Sequence, residues 1–267
     1  MTGREPNGPA GVTVPAVLGR FRLQDRVALV TGGSRGLGRE IVKAFAEAGA
    51  HVIIASRKYD ACKTLADEIE STTDRQAFPY ACHVGEWNDV NALADAAFER
   101  FGRVDILVNN AGMSPLYDHV STVSEVLWDK TLDVNLKGPF RLSANVGTRM
   151  VEQGGGSIIM VSSGGAIRPL PHIVPYAAAK AGLNAMTIGL SRTFGPTVRV
   201  NCIMPGPFYT DISKAWDLDK VAERQKETYS LQRAGNPDEI IGAALYFASD
   251  ASSFTTGAVL AVDGGMP

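Results

Sequence analysis

The stretch Val27-Ala-Leu-Val-Thr-Gly-Gly-Ser-Arg-Gly-Leu-Gly38 decides the fold. It joins a short apolar run to four glycines, and a segment with helical spacing of apolar residues follows directly. Apolar residues at consecutive positions predict a strand that is covered on both faces. Glycines allow a sharp turn and a close approach to a phosphate, to which the start of a helix presents N–H groups and a positive dipole. The stretch therefore predicts a strand, a phosphate-binding turn and a helix.

The rest of the chain repeats this alternation of short apolar runs and longer helical stretches. Strands are predicted at residues 27–30, 51–55, 77–81, 106–108, 157–161, 199–203 and 259–262. Helices are predicted at residues 37–48, 60–71, 88–101, 124–153 (as two helices), 176–194 and 237–248. This order is typical of an α/β fold: a single Rossmann-like, doubly wound parallel sheet with helices on both faces. We expect one such domain over residues 21–267, after a flexible leader over residues 1–20.

Composition and charge exclude several classes of function. The 267 residues carry a formal net charge of −2 without a cluster of Lys and Arg, which argues against a nucleic-acid-binding protein. The three cysteines form no CxxC pair and the four histidines have no ligand spacing, so we expect neither disulfides nor a metal site. No apolar run reaches the length of a membrane span. We therefore expect a cytoplasmic protein with a small-molecule ligand and no membrane contact.

The end of the second predicted strand indicates which nucleotide is bound. An enzyme that uses NAD places Asp or Glu there to hold the ribose 2′-hydroxyl. Here the strand ends in Ala55-Ser-Arg-Lys58, and the first acid is Asp60. A guanidinium binds a 2′-phosphate through charge-assisted hydrogen bonds, whereas a carboxylate repels it. Arg57, together with Arg35 in the glycine-rich turn, therefore favours NADP.

A series of motifs gives the chain a family resemblance. After the glycine-rich turn come Asn109-Asn-Ala-Gly112, Asn135, Ser163, Tyr176-Ala-Ala-Ala-Lys180 and Pro205-Gly206. In this order and spacing they resemble the short-chain dehydrogenase/reductase family, from about residue 21 to residue 265. The resemblance implies an NADP(H)-dependent oxidoreductase that interconverts a ketone and a secondary alcohol by hydride transfer. It also implies a homotetramer, in which two long helices pack against their symmetry mates.

Tyr176 and Lys180 support this chemistry independently of the resemblance. They are four residues apart and so share a helix face. A free phenol has a pKa of about 10, and we expect the lysine ammonium to lower the pKa of Tyr176 so that it acts as general acid or base. The resemblance implies that Ser163, with Ser162 as the structural alternative, hydrogen-bonds the substrate carbonyl. It further implies that Asn135 organises a water chain to the lysine; otherwise, Asn135 bends its helix or bonds back to it.

The predicted cofactor contacts follow from the turn, the strand ends and the resemblance. His83 stands where relatives usually have an Asp that accepts a hydrogen bond from the adenine amino group, although a neutral imidazole has one bare nitrogen that can also accept. The complete set of predicted cofactor residues is Gly32, Ser34, Arg35, Gly36, Leu37, Gly38, Ser56, Arg57, His83, Val84, Asn109, Ala111, Gly112, Tyr176, Lys180, Pro205, Gly206 and Thr210.

The sequence leaves the substrate open. Residues 205–232 are predicted to form loops and mobile helices over the site. The nearest groups within the resemblance are 3-oxoacyl-thioester reductases, with related keto-acid reductases, and then gluconate or sugar-acid 5-dehydrogenases. A non-catalytic NADP-binding redox sensor is an alternative of another class, although such proteins usually lose the tyrosine or the lysine. The predicted pocket lining is Met113, Ser114, Gly165, Arg168, His172, Phe208, Tyr209 and Trp216.

Overall fold

The computed structural model describes residues 16–210 and 218–267 and confirms the predicted fold class. Seven parallel strands form one sheet in the order β3-β2-β1-β4-β5-β6-β7. The strands are β1 (Val27–Thr31), β2 (His51–Ser56), β3 (Ala77–Ala81), β4 (Ile106–Asn109), β5 (Gly156–Val161), β6 (Val198–Pro205) and β7 (Val259–Val262). Each predicted strand is present, and β6 extends two residues further than predicted because Cys202 to Pro205 pair with β7.

Helices cover the sheet on both faces. They are α1 (Ala16–Gly19), α2 (Gly36–Glu47), α3 (Tyr59–Thr72), α4 (Trp87–Phe101), α5 (Glu125–Leu132), α6 (Gly138–Glu152), α7 (Val174–Phe194), α8 (Leu218–Thr228) and α9 (Ile241–Ala248). Successive residues of β1 point to opposite faces, so that Ala28 and Val30 pack with α2, α3 and α9, whereas Val27 and Leu29 face α4, α6 and α7. The apolar runs of β1, β2, β4, β5 and β6 are buried by both helical layers, whereas the edge strands β3 and β7 are more exposed.

Two predicted helices differ in detail from the observed ones. The stretch 124–153 contains α5 and α6, but five residues of π-helix, Asp133–Lys137, join them without a break. The predicted helix at 237–248 begins with a 3₁₀ turn at Pro237–Ile240, where Asn236 and Glu239 form a capping box, and continues as α9.

The ends of the chain and the stretch 205–232 are only partly described. Residues 1–15 of the predicted leader lie outside the described residues, and Ala16–Gly19 form a short helix in which no residue is buried. Residues 211–217, including Trp216, also lie outside the described residues, whereas Leu218–Thr228 form α8. Among the helices described, none is both long and apolar enough to cross a membrane.

The strand order fixes where a ligand can bind. β1 lies between β2 and β4, so the chain changes direction across the sheet at this point. A crevice opens at the carboxyl ends of the strands on either side of such a switch. The glycine-rich turn follows β1 and the Asn109-Asn-Ala-Gly112 segment follows β4, so both motifs lie at this crevice.

Candidate active site

The glycine-rich turn after β1 brings the backbone close to the start of α2. Gly32 and Gly36 have φ values of +63° and +53°, a conformation that glycine adopts most easily. A Cβ at Gly38 would lie 2.2 Å from the carbonyl oxygen of Gly32, so no side chain fits between turn and helix. Among the described residues no side chain caps α2 from its N-cap position, Arg35. The N–H groups of the first turn are therefore available to an anion.

Two side chains that sequence reasoning missed hold the ends of β1 and β4 together. Thr31 Oγ1 accepts hydrogen bonds from the N–H groups of Asn110 (3.1 Å) and Ala111 (3.2 Å). Asn110 Nδ2 donates to the carbonyl oxygens of Thr31 (3.0 Å) and Gly32 (3.1 Å). The two consecutive asparagines after a buried strand were the available signal. Asn110 therefore fixes the turn against the segment that follows β4.

Asn109, one of the predicted cofactor residues, turns its side chain away from the crevice. It is 2% exposed, and its Nδ2 donates to Ser143 Oγ at 2.9 Å. The amide points into the core between β4 and α6 because it is the last residue of a strand that is buried on both faces. The side chain of Asn109 therefore links the end of β4 to α6, whereas the nearby Ala111 and Gly112 lie at the crevice.

The end of β2 presents hydroxyl groups and cations. Ser34 Oγ donates to Ser56 Oγ at 3.0 Å, which joins the glycine-rich turn to the end of this strand. Ser56 Oγ in turn donates to the carbonyl oxygen of Lys58 and lies 3.0 Å from the buried thiol of Cys62. The side chains of Arg35 and Arg57 are exposed at the surface around this pair of hydroxyls.

His83 lacks the acceptor that the sequence analysis gave it. Its Nδ1 accepts a hydrogen bond from the backbone N–H of Gly85 at 3.2 Å. A neutral imidazole with this acceptor carries its proton on Nε2, so the remaining nitrogen is a donor. In this conformation the contact that remains open to His83 is a hydrogen bond donated from Nε2. Val84, the next residue, is partly exposed.

Asn135 is both the predicted site residue and the cause of the π-helical segment. It is fully buried, and its Nδ2 donates to the carbonyl oxygen of Thr131 at 2.9 Å. That carbonyl is the one that the backbone N–H of Asn135 would bond in an α-helix. The side chain also bonds both backbone groups of Met113, accepting from its N–H (3.2 Å) and donating to its oxygen (2.8 Å). Asn135 thus anchors the segment after β4 to the helix.

Gly112 brings Asn135 and Lys180 into one place. A Cβ at this glycine would lie 2.9 Å from Asn135 Oδ1 and 3.5 Å from Lys180 Nζ. The amide of one helix and the ammonium of another therefore approach the same backbone position. Lys180 is 3% exposed and its Nζ donates to the carbonyl oxygen of Val161, the last residue of β5, at 2.8 Å.

Burial shifts the pKa values of Tyr176 and Lys180 in opposite directions. Desolvation raises the pKa of Tyr176 above its ordinary value, and a hydrogen bond with the Ser163 side chain opposes the rise. Desolvation also lowers the pKa of Lys180 to about 8. The predicted lowering of the Tyr176 pKa is thus not found. The ammonium of Lys180 donates to Val161 and lies 5.7 Å from the centre of the Tyr176 ring.

Ser163 and Tyr176 meet at Gly165. A Cβ on this glycine would lie 3.4 Å from Ser163 Oγ and 3.8 Å from Tyr176 Cε1. Ser162, the structural alternative, is buried and donates its hydroxyl hydrogen to the carbonyl oxygen of Lys180 at 3.0 Å. Ser163 is partly exposed, so of the two serines it is the one whose hydroxyl can contact a ligand.

The turn after β6 closes the crevice from the other side. Pro205 is buried as the last residue of the strand, and the N–H of Gly206 donates to the carbonyl oxygen of Val262 at 3.0 Å. A Cβ on Gly36 would lie 3.6 Å from Thr210 Cβ, so Thr210 borders the glycine-rich turn. Leu37, the next residue of that turn, is partly buried against the core. The predicted residues in the turns after β1 and β6 therefore lie next to each other.

The residues of the predicted pocket lining differ in their exposure. Met113, Ser114 and Gly165 are partly exposed, and Arg168, His172 and Tyr209 are exposed. Phe208 is instead 6% exposed and belongs to the core, because its bridge to Gly235 turns the ring inward. Phe208 is therefore not a lining residue in this conformation.

Comparison with known proteins agrees with this geometry. A family model described as enoyl-(acyl carrier protein) reductase matches residues 32–267. The chain belongs to the short-chain dehydrogenase/reductase family. Human dehydrogenase/reductase SDR family member 4 is 38% identical over 254 residues, which cover 93% of this chain and 90% of that protein.

Two solved structures of this family show the same fold with different nucleotides. A gluconate 5-dehydrogenase from Burkholderia cenocepacia in complex with NADP and tartrate is 34% identical, with a TM-score of 0.89 over 94% of this chain and 98% of that one. A 7α-hydroxysteroid dehydrogenase with NADH and a 7-oxo bile acid is 32% identical, with a TM-score of 0.89 over 93% and 97%. As a member of this family, the chain is an oxidoreductase that acts on alcohol or ketone groups.

The role of Asn135 in holding the fold can be tested without any nucleotide. Asn135→Ala leaves both backbone groups of Met113 without this partner, and an unsatisfied buried group costs about 1–3 kcal/mol. We therefore expect denaturant unfolding to show that the free energy of unfolding of this short-chain dehydrogenase/reductase falls by at least this amount. Asn88→Ala, at an exposed position of α4, serves as the control. Equal stability of the two variants would contradict the anchoring role.

Proposed function

We propose that the protein is an NADP(H)-dependent oxidoreductase that interconverts a ketone and a secondary alcohol by hydride transfer. The observation that carries this proposal is the meeting of Ser163 and Tyr176 at Gly165, with the ammonium of Lys180 buried behind them. A structural role alone does not require a hydroxyl donor, a phenol and a buried cation at one sheet edge. We assign the catalytic role to these three residues and to Asn135.

The protein's own residues handle the proton. When NADPH is bound, its nicotinamide supplies the hydride. Ser163 donates a hydrogen bond to the carbonyl oxygen, and Tyr176 gives that oxygen its phenolic proton as negative charge develops there. The raised pKa of Tyr176 keeps this proton in place at neutral pH. Lys180 supplies positive charge behind the phenol, and Asn135 holds the segment around Gly112 against it.

The chain's residues fit a dinucleotide that carries a 2′-phosphate. The crowded turn of Gly32, Gly36 and Gly38 at the open start of α2 suits a pyrophosphate, since a Cβ would fill the approach. At the end of β2, Ser34 and Ser56 present hydroxyls, with the exposed cations Arg35 and Arg57 beside them. The further contacts that we propose are made by Leu37, His83, Val84, Ala111, Gly112, Tyr176, Lys180, Pro205, Gly206 and Thr210.

The substrate that we propose is a 3-oxoacyl thioester or a related keto acid. The predicted pocket lining combines the partly exposed Met113 with the exposed cation Arg168, a combination that suits an organic ketone with an anionic end. A sugar acid also has such an anionic end, and the gluconate 5-dehydrogenase relative favours it as the second candidate. The three cysteines are unpaired and buried, which supports a reducing, cytoplasmic location.

A substrate screen tests the proposed function. NADPH oxidation is followed with acetoacetyl-CoA, 5-keto-D-gluconate, a diketone and a quinone. We expect turnover with acetoacetyl-CoA or with the keto acid. A protein that binds NADPH but reduces none of the four would be a non-catalytic sensor, and the proposal would be wrong.

The choice of nucleotide can be reversed at Arg57. A hydrogen bond to a charged group contributes about 1.5–3 kcal/mol, so we expect NADPH to bind more tightly than NADH and Arg57→Asp to remove most of that preference. Calorimetry with both nucleotides measures the effect, and Arg20→Asp provides the same change of charge as a control. Equal affinities for the two nucleotides in the unmodified protein would contradict this assignment.

The proton-transfer roles separate in two variants. Tyr176→Phe keeps the ring, so we expect turnover to fall about 10²–10⁴-fold with little change in NADPH affinity. Lys180→Met is expected to lose turnover and affinity together, because this ammonium also holds the nicotinamide ribose in the proposed complex. Tyr59→Phe, on the exposed start of α3, is the control. Full activity of the Tyr176 variant would refute the mechanism.

The same mechanism predicts a pH profile. Lys180 loses its charge as the pH rises through about 8, where its lowered pKa lies. We therefore expect carbonyl reduction to be level at lower pH and to decline across this range. A profile that stays level to pH 10 would show that the lysine charge is not required.

We further propose a homotetramer. A groove of about 480 Å³ lies between α5, the π-helical segment, α6 and α7, and Phe140 of α6 and Met186 of α7 line it. Phe140 is 45% and Ile188 of α7 is 43% exposed, so both long helices present apolar side chains that a partner subunit could cover. We expect light scattering to give a tetramer and Phe140→Asp to dissociate it, unlike Tyr59→Asp on α3. A monomeric unmodified protein at micromolar concentration would contradict this.

A further inference from the structure

Tyr117 lies on the segment after β4 and bonds to the segment that precedes α7. Its Oη donates to the carbonyl oxygen of Pro171 at 2.8 Å and accepts from the backbone N–H of Val174 at 2.9 Å. One phenol thus uses its donor and one of its acceptor positions at the same time. These two bonds connect parts of the chain that are more than fifty residues apart.

The bond to Val174 replaces a helix cap. Val174 is the first residue of α7, and Ile173, in the N-cap position, makes no side-chain capping bond within the described part of the chain. The first N–H of a helix has no partner inside the helix, so it needs one from elsewhere. Tyr117 supplies that partner from a different loop. The start of the helix that carries Tyr176 is therefore held by the segment after β4.

The bonded loop borders the catalytic groups. A Cβ on Gly165 would lie 3.3 Å from Ile173 Cδ1, and the same point is close to Ser163 and Tyr176. Ile173 therefore borders the place where the carbonyl group would be held. On the other segment, Met113 lies four residues before Tyr117, and hydrogen bonds with Asn135 hold its backbone in place. The two sides of the site are thus joined at their outer edge by the hydroxyl of Tyr117.

We propose that Tyr117 is a positioning residue, whose hydroxyl joins residues 113–117 and 171–174 into one rim that holds the carbonyl compound against Ser163 and Tyr176. This inference rests on the proposed function. Tyr117 is not itself a catalytic residue, since its hydroxyl is engaged by Pro171 and Val174. Without the two bonds the loop that carries Ile173 is free to move away from its place over Gly165.

If Tyr117 joins the rim in this way, its loss should weaken substrate binding and leave the chemical step nearly unchanged. Tyr176 is also held by the hydrogen bond with Ser163 and by the remainder of α7, which packs on the sheet. The nucleotide turn of β1 and the cations of β2 are on other loops. We therefore expect Tyr117→Phe to raise KM for the carbonyl compound about tenfold, the size expected for two lost hydrogen bonds. We expect kcat to change less than twofold and NADPH affinity to stay the same.

The experiment uses the full chain and two readouts. Amide hydrogen exchange is measured at Val174, where Tyr117→Phe should accelerate exchange about tenfold. KM and kcat are measured with acetoacetyl-CoA, or with 5-keto-D-gluconate if the screen shows that compound to be the one reduced. Tyr246→Phe is the matched control, because that phenol also makes a hydrogen bond, 2.8 Å from Thr255 Oγ1, away from this rim.

The result that supports the proposal is faster exchange at Val174 together with a raised KM, neither of which appears in Tyr246→Phe. Unchanged exchange at Val174, a KM shift no larger than in the control, or a fall in kcat at constant KM would each overturn it. If the unmodified protein reduces no compound of the screen, the proposed function fails. The exchange measurement then still decides whether Tyr117 holds the start of α7.

Discussion

The whole site depends on how Lys180 is buried between β5 and α7. Its ammonium donates to the carbonyl oxygen of Val161, and its own carbonyl accepts from the hydroxyl of Ser162. These bonds link strand and helix in both directions. Ser163 follows Ser162 directly, and Tyr176 lies one turn before Lys180 on α7. The link therefore sets the distance between the hydroxyl and the phenol, which neither the strand nor the helix could set alone.

The burial of Lys180 also lowers its pKa and reduces the free energy of unfolding. Because the pKa of Lys180 in the folded protein is below its value of about 10.4 in an unfolded chain, the folded state holds this proton less tightly. The resulting loss of stability is fully present below pH 8. It decreases as the pH rises toward the pKa of the lysine in the unfolded chain. At neutral pH the lysine is still mostly charged and Tyr176 keeps its proton. A site in that state is prepared to donate a proton, as carbonyl reduction requires.

The sequence predicts the sheet well because its signals are local. The glycine-rich turn, the consecutive apolar residues of each strand and the Tyr176–Lys180 spacing depend only on neighbouring residues. The features that it misses depend on contacts across the fold. The π-helical segment arises because Asn135 takes a carbonyl of its own helix while also bonding Met113. The inward turn of Phe208 likewise follows from its bridge to Gly235, whose position no local pattern reveals.

The most direct test of this account is the pKa of Lys180 itself. The protein is labelled with lysine carrying ¹³C at Cε, and the NMR shift is followed with pH in the unmodified chain and in Lys180→Met, which identifies the resonance. We expect a titration at about 8, set by desolvation between β5 and α7. A titration at the ordinary value of 10.5 would show that the lysine is hydrated, and the link that organises the site would not exist as described.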